Sequence, residues 1–187
     1  MLTAEHFNVI FTAEQIQARV KELGAQISRD YEGSYPILIA MLKGSVFFLS
    51  DLSRAITIPH HFDFLGIYGD QASSQDAGIL RIERDVKFDL EGRDIIVIEE
   101  ILRTGLTTNY MLQILEDRNP RSVNLCTLLV NPNQLLLDLP VTYQGFEIDE
   151  RRVVGYGMDI KEKGRQLPFI AEYTLGLFKN LEQSREV

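Results

Sequence analysis

Apolar residues recur at intervals of three and four positions in the first part of the chain. Over residues 13–31, Ile16, Val20, Leu23 and Ile27 follow this spacing, which places them on one face of an α-helix. Polar and charged residues fill most positions between them. The spacing therefore predicts an amphipathic helix over residues 13–31.

Farther along the chain, apolar residues form short continuous runs instead. Such runs are typical of strands buried on both faces, and they occur at "ILIAML", "RDIIVIE" and "SVNLCTLLV". Helical segments separate them, at "GSVFFLSDLSRAI" and over residues 106–117. This βαβ alternation predicts an α/β fold, with a mostly parallel twisted sheet flanked by helices. Residues 1–187 contain no repeat and no low-complexity linker, so we expect a single domain.

Three other segments are predicted strands: "HHFDFLGIYG", a returning strand at "ILRIERDV" and a last strand at "RRVVGYGMD". The segment "DQASSQDAG" is polar, rich in small residues and without periodicity, which predicts an exposed mobile loop. Ligands of parallel sheets bind at the carboxyl ends of the strands. Residues that directly follow the strands are therefore the first candidates for function.

The composition limits the class of protein. A chain of 187 residues with 45% hydrophobic content suits one globular core. Its formal charge of -8 argues against a general nucleic-acid or anionic-membrane surface, so a phosphate ligand must be held by local groups. The single cysteine, Cys126, lies in an apolar run and is predicted to be a buried, unreactive thiol. Because we find no secretory leader pattern and no run of about 18 apolar residues, we expect a cytoplasmic protein.

Two adjacent acidic residues, Glu99 and Glu100, follow the apolar run "IIVI". Carboxylates this close repel each other unless a cation or hydroxyl groups share them, which indicates a divalent metal or a ribose diol. Thr104, Gly105 and Thr107 then form a turn into a predicted helix, whose free N–H groups and dipole favour a phosphate. Such a turn alone is more often an ordinary strand-to-helix connection, but the acidic pair in front of it favours the phosphate site.

The acidic pair and the Thr-Gly-x-Thr turn together resemble the ribose-phosphate loop of the type I phosphoribosyltransferases. The segment "MLKGSVFFLSDL" resembles the pyrophosphate loop of these enzymes, and "VVGYGMDIKEKGRQLPFI" resembles the purine-binding end of the hypoxanthine-guanine phosphoribosyltransferases. Residues 8–178 align with that family without a large gap. The resemblance implies a Mg²⁺-dependent purine salvage enzyme that condenses hypoxanthine or guanine with phosphoribosyl pyrophosphate.

The resemblance also implies roles for individual residues. They are ribose and phosphate binding by Glu99, Glu100, Thr104, Gly105, Leu106 and Thr107; pyrophosphate binding by Leu42, Lys43, Gly44 and Arg165; base binding by Arg152, Val153 and Asp159; and Mg²⁺ binding by Glu99, Glu100 and Asp159. In the family, the peptide bond corresponding to Leu42-Lys43 is often cis. The chain ends, roughly residues 1–12 and 140–187, are implied to form a small hood. Family members usually assemble as homodimers or homotetramers.

Four positions depart from the family pattern, on the side of the base or of the mobile loop. Arg103 stands where these enzymes carry an aspartate proposed as the general base, and a guanidinium cannot accept a proton near neutral pH. We expect Arg103 to pair with Glu99 or Glu100 and to point away from the base pocket. The other three changes are Pro140 for a lysine that contacts the purine, Arg152 for an aromatic that stacks on it, and Ile67 for a serine.

The retained residues are those that hold ribose phosphate, pyrophosphate and magnesium, whereas the altered residues face the base. One hypothesis is therefore a purine phosphoribosyltransferase, with activity lowered by the loss of the general base. The alternative is a nucleotide-binding relative with little or no catalysis. A third hypothesis, an α/β sugar-phosphate enzyme without this chemistry, is disfavoured by the combination of loops. The nucleobase is left open, because the positions that normally read it are the altered ones.

Overall fold

The computed structural model describes residues 7–69 and 80–174. Its helices are α1 (Ala13–Asp30), α2 (Val46–Ala55) and α3 (Leu106–Glu116). Its strands, in chain order, are β1 (Asn8–Phe11), β2 (Ile37–Met41), β3 (His61–Gly69), β4 (Leu80–Arg84), β5 (Asp94–Leu102), β6 (Ser122–Val130), β7 (Val141–Glu147), β8 (Val153–Val154) and β9 (Ile170–Glu172). The predicted α/β class is confirmed.

A six-stranded sheet in the order β4-β3-β2-β5-β6-β7 forms the centre of the fold. Its strands pair in parallel, except that β4 runs antiparallel to β3. One apolar cluster joins α1 and α2 to one face of the sheet, and a second joins α3 to the other face. The carboxyl ends of β2 and β5 consequently lie side by side, each followed by a loop and the N-terminus of a helix. This is the edge where a ligand is expected.

Helix α1 confirms the spacing argument, because the four apolar residues predicted for its inner face are each at most 1% exposed. The helix begins with a reciprocal capping box. Thr12 Oγ1 accepts the Gln15 N–H at 3.3 Å, and the Gln15 side chain accepts the Thr12 N–H at 2.9 Å. None of the helices in the described ranges combines the length and the apolarity that a bilayer crossing requires.

A second, three-stranded sheet in the order β1-β9-β8 brings the two ends of the described chain together. We expected this hood to begin near residue 140, but Val141–Glu147 is β7, the edge strand of the central sheet. The strand predicted at "RRVVGYGMD" is shorter than expected, since the three residues after Val154 take positive φ angles and turn the chain. The rest of the expected hood, at residues 1–6 and 175–187, and the loop at residues 70–78 lie outside the described residues.

An ion pair at the amino end of β5 gives a first prediction. Asp94, 7% exposed, accepts hydrogen bonds from Arg121 Nε and Ser122 Oγ, both at 2.8 Å. The Arg121 hydrogen bond is the main cause that lowers the pKa of Asp94. A carboxyl group with a lowered pKa in the fold stabilises it above the unfolded-state pKa, and this contribution is lost as the pH falls through the folded-state value.

Asp94→Asn is therefore expected to lower the free energy of unfolding by about 1–3 kcal/mol at about pH 7, and by less at about pH 3. Denaturant unfolding of both proteins at the two pH values measures the difference. An equal loss at both values would show that the charge of Asp94 contributes nothing to stability.

Candidate active site

Two glycines bring separate segments into contact at the carboxyl edge of the central sheet. Gly44 follows β2, directly after a cis peptide bond between Leu42 and Lys43. A Cβ atom added at Gly44 would overlap the Glu100 carboxylate, and one added at Gly157 would overlap the carbonyl oxygen of Gly44. The predicted pyrophosphate loop, acidic pair and purine-binding segment therefore meet in one site.

The adjacent glutamates project to opposite faces of the sheet, as successive side chains of a strand do. Glu99 is 4% exposed, and its Oε1 accepts a hydrogen bond from Thr108 Oγ1 at 3.2 Å. Glu100 Oε2 accepts one from Ser45 Oγ at 2.7 Å. Burial and then the charge of Glu100 raise the pKa of Glu99, and burial also raises the pKa of Glu100. Each carboxylate thus accepts a separate protein hydroxyl, and the metal or ribose diol expected between them stays a prediction.

The Thr-Gly-x-Thr turn connects β5 to α3. Gly105 precedes the helix with a φ of 79°, and in the described chain no side chain caps this helix end. Its first N–H groups have no partner within the helix, so they suit a phosphate. A side chain at position 105 would contact Leu139 Cδ1 at 2.8 Å. The glycine is therefore required by the turn and by its packing, and its missing side chain does not point toward open space for a phosphate.

The two cationic residues predicted to bind pyrophosphate, Lys43 and Arg165, both contact Glu162. Lys43 Nζ lies 3.2 Å from Glu162 Oε2, and Arg165 Nη2 lies 3.3 Å from Glu162 Oε1. Arg165 Nη2 also pairs with Asp159 Oδ1 at 2.8 Å, and Nη1 donates to the Gly157 carbonyl oxygen at 2.8 Å. The buried Nε of Arg165 has no partner in the part of the chain described, so it is a donor that a substrate oxygen would satisfy.

A cavity of about 420 Å³ opens beside these groups. Its wall includes Glu100 and all three residues predicted for base binding: Arg152, Val153 and Asp159. Its volume lies in the range of small-molecule sites. The cavity therefore joins the predicted base side to the carboxylate side, while Pro140 is not among its lining residues.

Arg103 is also part of the cavity wall, so the expectation that it points away from the base pocket is wrong. The expected pairing with Glu99 or Glu100 is not formed either. Arg103 Nη1 approaches Gln134 Oε1 at 3.5 Å, and Nη2 donates to the Arg151 carbonyl oxygen at 3.2 Å. Burial and then the neighbouring charge of Arg152 lower the pKa of Arg103.

The three predicted Mg²⁺ ligands do not converge. Glu100 and Asp159 line the cavity, whereas Glu99 faces Thr108. Over residues 7–69 and 80–174, no group of three His, Cys, Asp or Glu side chains is arranged to hold a metal ion. Mg²⁺ keeps several waters and is usually held by one or two carboxylates together with substrate phosphates. Glu100 and Asp159 fit that arrangement, and a metal role for Glu99 stays a prediction.

Four contributors to the site were not predicted: Ser45, Thr108, Gln134 and Glu162. A signal existed for Thr108, because it shares a helix face with the buried Met111 and Leu112, so its hydroxyl was bound to need an internal partner. Ser45 is adjacent to the predicted loop residues. Glu162 lies within the predicted purine-binding segment, between Asp159 and Arg165, whereas Gln134 comes from a separate segment that no local pattern marks.

Comparisons with known proteins agree with this geometry. The family model of the phosphoribosyl transferase domain matches residues 8–161. The hypoxanthine-guanine phosphoribosyltransferase of Mycobacterium tuberculosis is 41% identical over 169 residues, which cover 87% of this chain and 84% of that protein. A crystal structure of a hypoxanthine phosphoribosyltransferase from Staphylococcus aureus matches with a TM-score of 0.88 and 34% identity, over 95% of this chain and 98% of that one. Similarity of this extent, in both sequence and fold, makes the chain a member of the phosphoribosyl transferase domain family.

Proposed function

We propose that the protein is a purine salvage transferase, which condenses a 6-oxopurine such as hypoxanthine or guanine with phosphoribosyl pyrophosphate. A purine nitrogen forms a bond to C1′ of the ribose while the bond from C1′ to the pyrophosphate oxygen breaks. The products are the nucleoside monophosphate and pyrophosphate. The observation that carries the proposal is that one cavity is lined both by Arg103 and Val153, on the base side, and by Glu100 and Asp159. The names of the related enzymes support the same reaction.

The leaving pyrophosphate gains negative charge, so positioned cations and N–H groups favour its departure. Lys43 and Arg165 supply the two charges, and the Arg165 Nε is a buried donor with no partner in the described chain. Glu162 holds both cations in place before the substrate arrives. We infer that pyrophosphate oxygens replace part of these contacts when the substrate binds.

The 5′-phosphate of the substrate would bind the N-terminus of α3, where Thr104, Gly105, Leu106 and Thr107 present N–H groups and hydroxyls. Glu100, which lines the cavity ahead of this turn, would accept hydrogen bonds from the ribose hydroxyls, and ribose binding by Glu99 stays a prediction. Mg²⁺, when bound, supplies positive charge that offsets the pyrophosphate, and Glu100 and Asp159 are the residues that would hold it.

Removal of divalent metal is expected to lower kcat/KM at least about tenfold. Without a cation, the carboxylates of Glu100 and Asp159 both face the bound pyrophosphate, and like charges repel. Initial rates in excess chelator, followed by restoration of Mg²⁺, measure the effect. Equal turnover with and without the chelator would refute the metal role.

Product analysis after incubation with phosphoribosyl pyrophosphate and hypoxanthine, guanine, xanthine or adenine tests the proposal. We expect a nucleoside monophosphate and pyrophosphate in equal amounts. Lys43→Gln should slow the reaction, whereas Lys21→Gln, a matched change on the exposed side of α1, should not. Binding of a nucleotide without product from any of the four bases would contradict the proposal and favour a non-catalytic relative.

We also infer that the protein acts in the cytoplasm as a homodimer or homotetramer, without a nucleic-acid or membrane partner. The exposed side chains of Val46, Phe47 and Phe62 support self-association, because they offer apolar surface for a second copy. The formal charge of -8 supports the absence of a nucleic-acid partner. Light scattering in solution measures the oligomeric state.

A further inference from the structure

We propose that the cavity selects a nucleobase in its anionic form, with Arg103 as the residue that determines this specificity. The chemical class is an oxopurine that loses a proton near neutral pH, as xanthine does, in contrast to hypoxanthine and guanine, which lose theirs only in alkaline solution. The inference rests on the proposed transferase function and names the substrate class of the same site.

The first observation is positive charge without an ion-pair partner among the described residues. Arg103 is partly buried, and its two hydrogen-bond acceptors, the Gln134 side chain and the Arg151 carbonyl group, are both neutral. Arg152 lines the same cavity. Neither Arg103 nor Arg152 forms an ion pair within the described ranges; Arg152 is exposed to solvent, whereas the partly buried Arg103 lacks the partner that a buried charge usually has.

The second observation is that the acidic groups of the cavity have other partners or face solvent. Asp159 pairs with Arg165 at 2.8 Å, and Glu100 accepts the Ser45 hydroxyl at 2.7 Å. Glu150, the third acidic residue of the wall, is exposed to solvent. None of these three carboxylates pairs with Arg103, so an anionic ligand would supply the opposite charge that this guanidinium lacks.

Electrostatics in the free protein agree with this. The pKa of Arg103 is lowered by burial and by the charge of Arg152, so holding Arg103 in its charged form costs free energy. An anion in the cavity would offset that cost, because it adds an opposite charge beside the guanidinium. A planar guanidinium also matches the carbonyl oxygens of an oxopurine, which share the negative charge of the anion.

The same arrangement removes the need for a general base at position 103. A neutral purine must lose a proton as its nitrogen attacks C1′, and an arginine cannot accept that proton. An anionic purine has already given one proton to water. When the N9–C1′ bond forms and pyrophosphate leaves, the ring at first carries no net charge. The remaining N7 proton is then released to solvent, which leaves the xanthine ring of the nucleotide anionic, so no protein group has to gain or lose a proton.

The decisive measurement is the ratio of kcat/KM for xanthine to kcat/KM for hypoxanthine, in the wild type and in Arg103 variants. We expect the wild-type ratio to rise between about pH 6 and about pH 8.5, since xanthine ionises in this interval while the guanidinium stays charged. Arg103→Gln should lower the ratio at least about tenfold, and Arg103→Lys, which keeps the charge, should lower it less. Arg29→Gln, an exposed arginine of α1, is the matched control and should leave the ratio unchanged.

Equilibrium binding gives a readout that does not depend on turnover. By calorimetry, xanthosine 5′-monophosphate should bind more tightly than inosine 5′-monophosphate, and Arg103→Gln should remove most of the difference. Thermal unfolding checks that each variant is folded. If Arg103→Gln does not fold, the comparison of the wild type with Arg103→Lys takes its place.

The outcomes separate the inference from the proposed function. Turnover of hypoxanthine with a ratio that neither rises with pH nor responds to Arg103→Gln would overturn the inference and leave the transferase function standing. No turnover of any base, together with Arg103-dependent preference for the xanthine nucleotide, would overturn the transferase function and support the anionic ligand. Equal binding of the two nucleotides by the wild type would overturn the inference whatever the rates.

Discussion

Gly157→Ala is expected to lower the free energy of unfolding by about 2–4 kcal/mol and kcat/KM by about a hundredfold. Gly157 has a φ of 99°, which side chains rarely adopt, and an added Cβ would overlap the Gly44 carbonyl oxygen. Either the pyrophosphate loop or the turn that carries Asp159 must then move. Because displacing a bound reactant by about 1 Å is enough to slow a reaction strongly, the change should cost rate as well as stability. Denaturant unfolding and steady-state kinetics measure the two effects.

Gly33→Ala is the matched control, because it also places a side chain at a positive φ angle but creates no steric overlap. Gly33 has a φ of 76°, and a Cβ there would have no neighbour within 4 Å. We expect a loss of about 1 kcal/mol and no change in kcat/KM. Equal losses of stability in the two variants would show that close packing against Gly44 is unimportant.

The elements that could be predicted from the sequence are those whose local pattern is strong. Strands β2, β5 and β6 are apolar runs because the sheet packs against helices on both faces. Strand β7 was not predicted, since it is an edge strand and its sequence "VTYQGFE" mixes polar with apolar residues. The hood strands β1 and β9 have four and three residues, which is too short for a periodicity to be recognised, and β8 was predicted only as part of a longer strand.

The parts of the candidate site also differ in whether they could be predicted from the sequence. The acidic pair, the phosphate turn and the pyrophosphate loop are each contiguous motifs, and a contiguous motif can be recognised without the fold. The orientation of Arg103 could not be predicted, because its acceptors lie 31 and 48 positions away in the chain. The projection of Glu99 and Glu100 to opposite faces of the sheet could have been predicted, since side chains alternate along any strand.

Arg103→Asp is expected to raise kcat with hypoxanthine about tenfold and to lower kcat/KM with xanthine about tenfold, which shifts the base preference toward hypoxanthine. Arg103 lines the cavity, and we expect an aspartate at this position to accept the proton of a neutral purine, as is proposed for the aspartate of the family. A tenfold gain corresponds to about 1.4 kcal/mol of transition-state stabilisation. The same carboxylate would repel an anionic base, which explains the opposite effect expected for xanthine.

Arg103→Asn distinguishes the effect of gaining a proton acceptor from the effect of losing the cation, because asparagine has the size of aspartate and cannot accept the proton. It should lower kcat/KM for xanthine but give no gain with hypoxanthine. The new aspartate also lies near Glu100 and Asp159, and mutual repulsion would raise their pKa values and weaken substrate binding, so both kcat and KM must be measured at saturating Mg²⁺. If Arg103→Asp does not raise kcat with hypoxanthine above the value of Arg103→Asn, position 103 is not the place of the missing general base, and the reaction must lose its proton elsewhere.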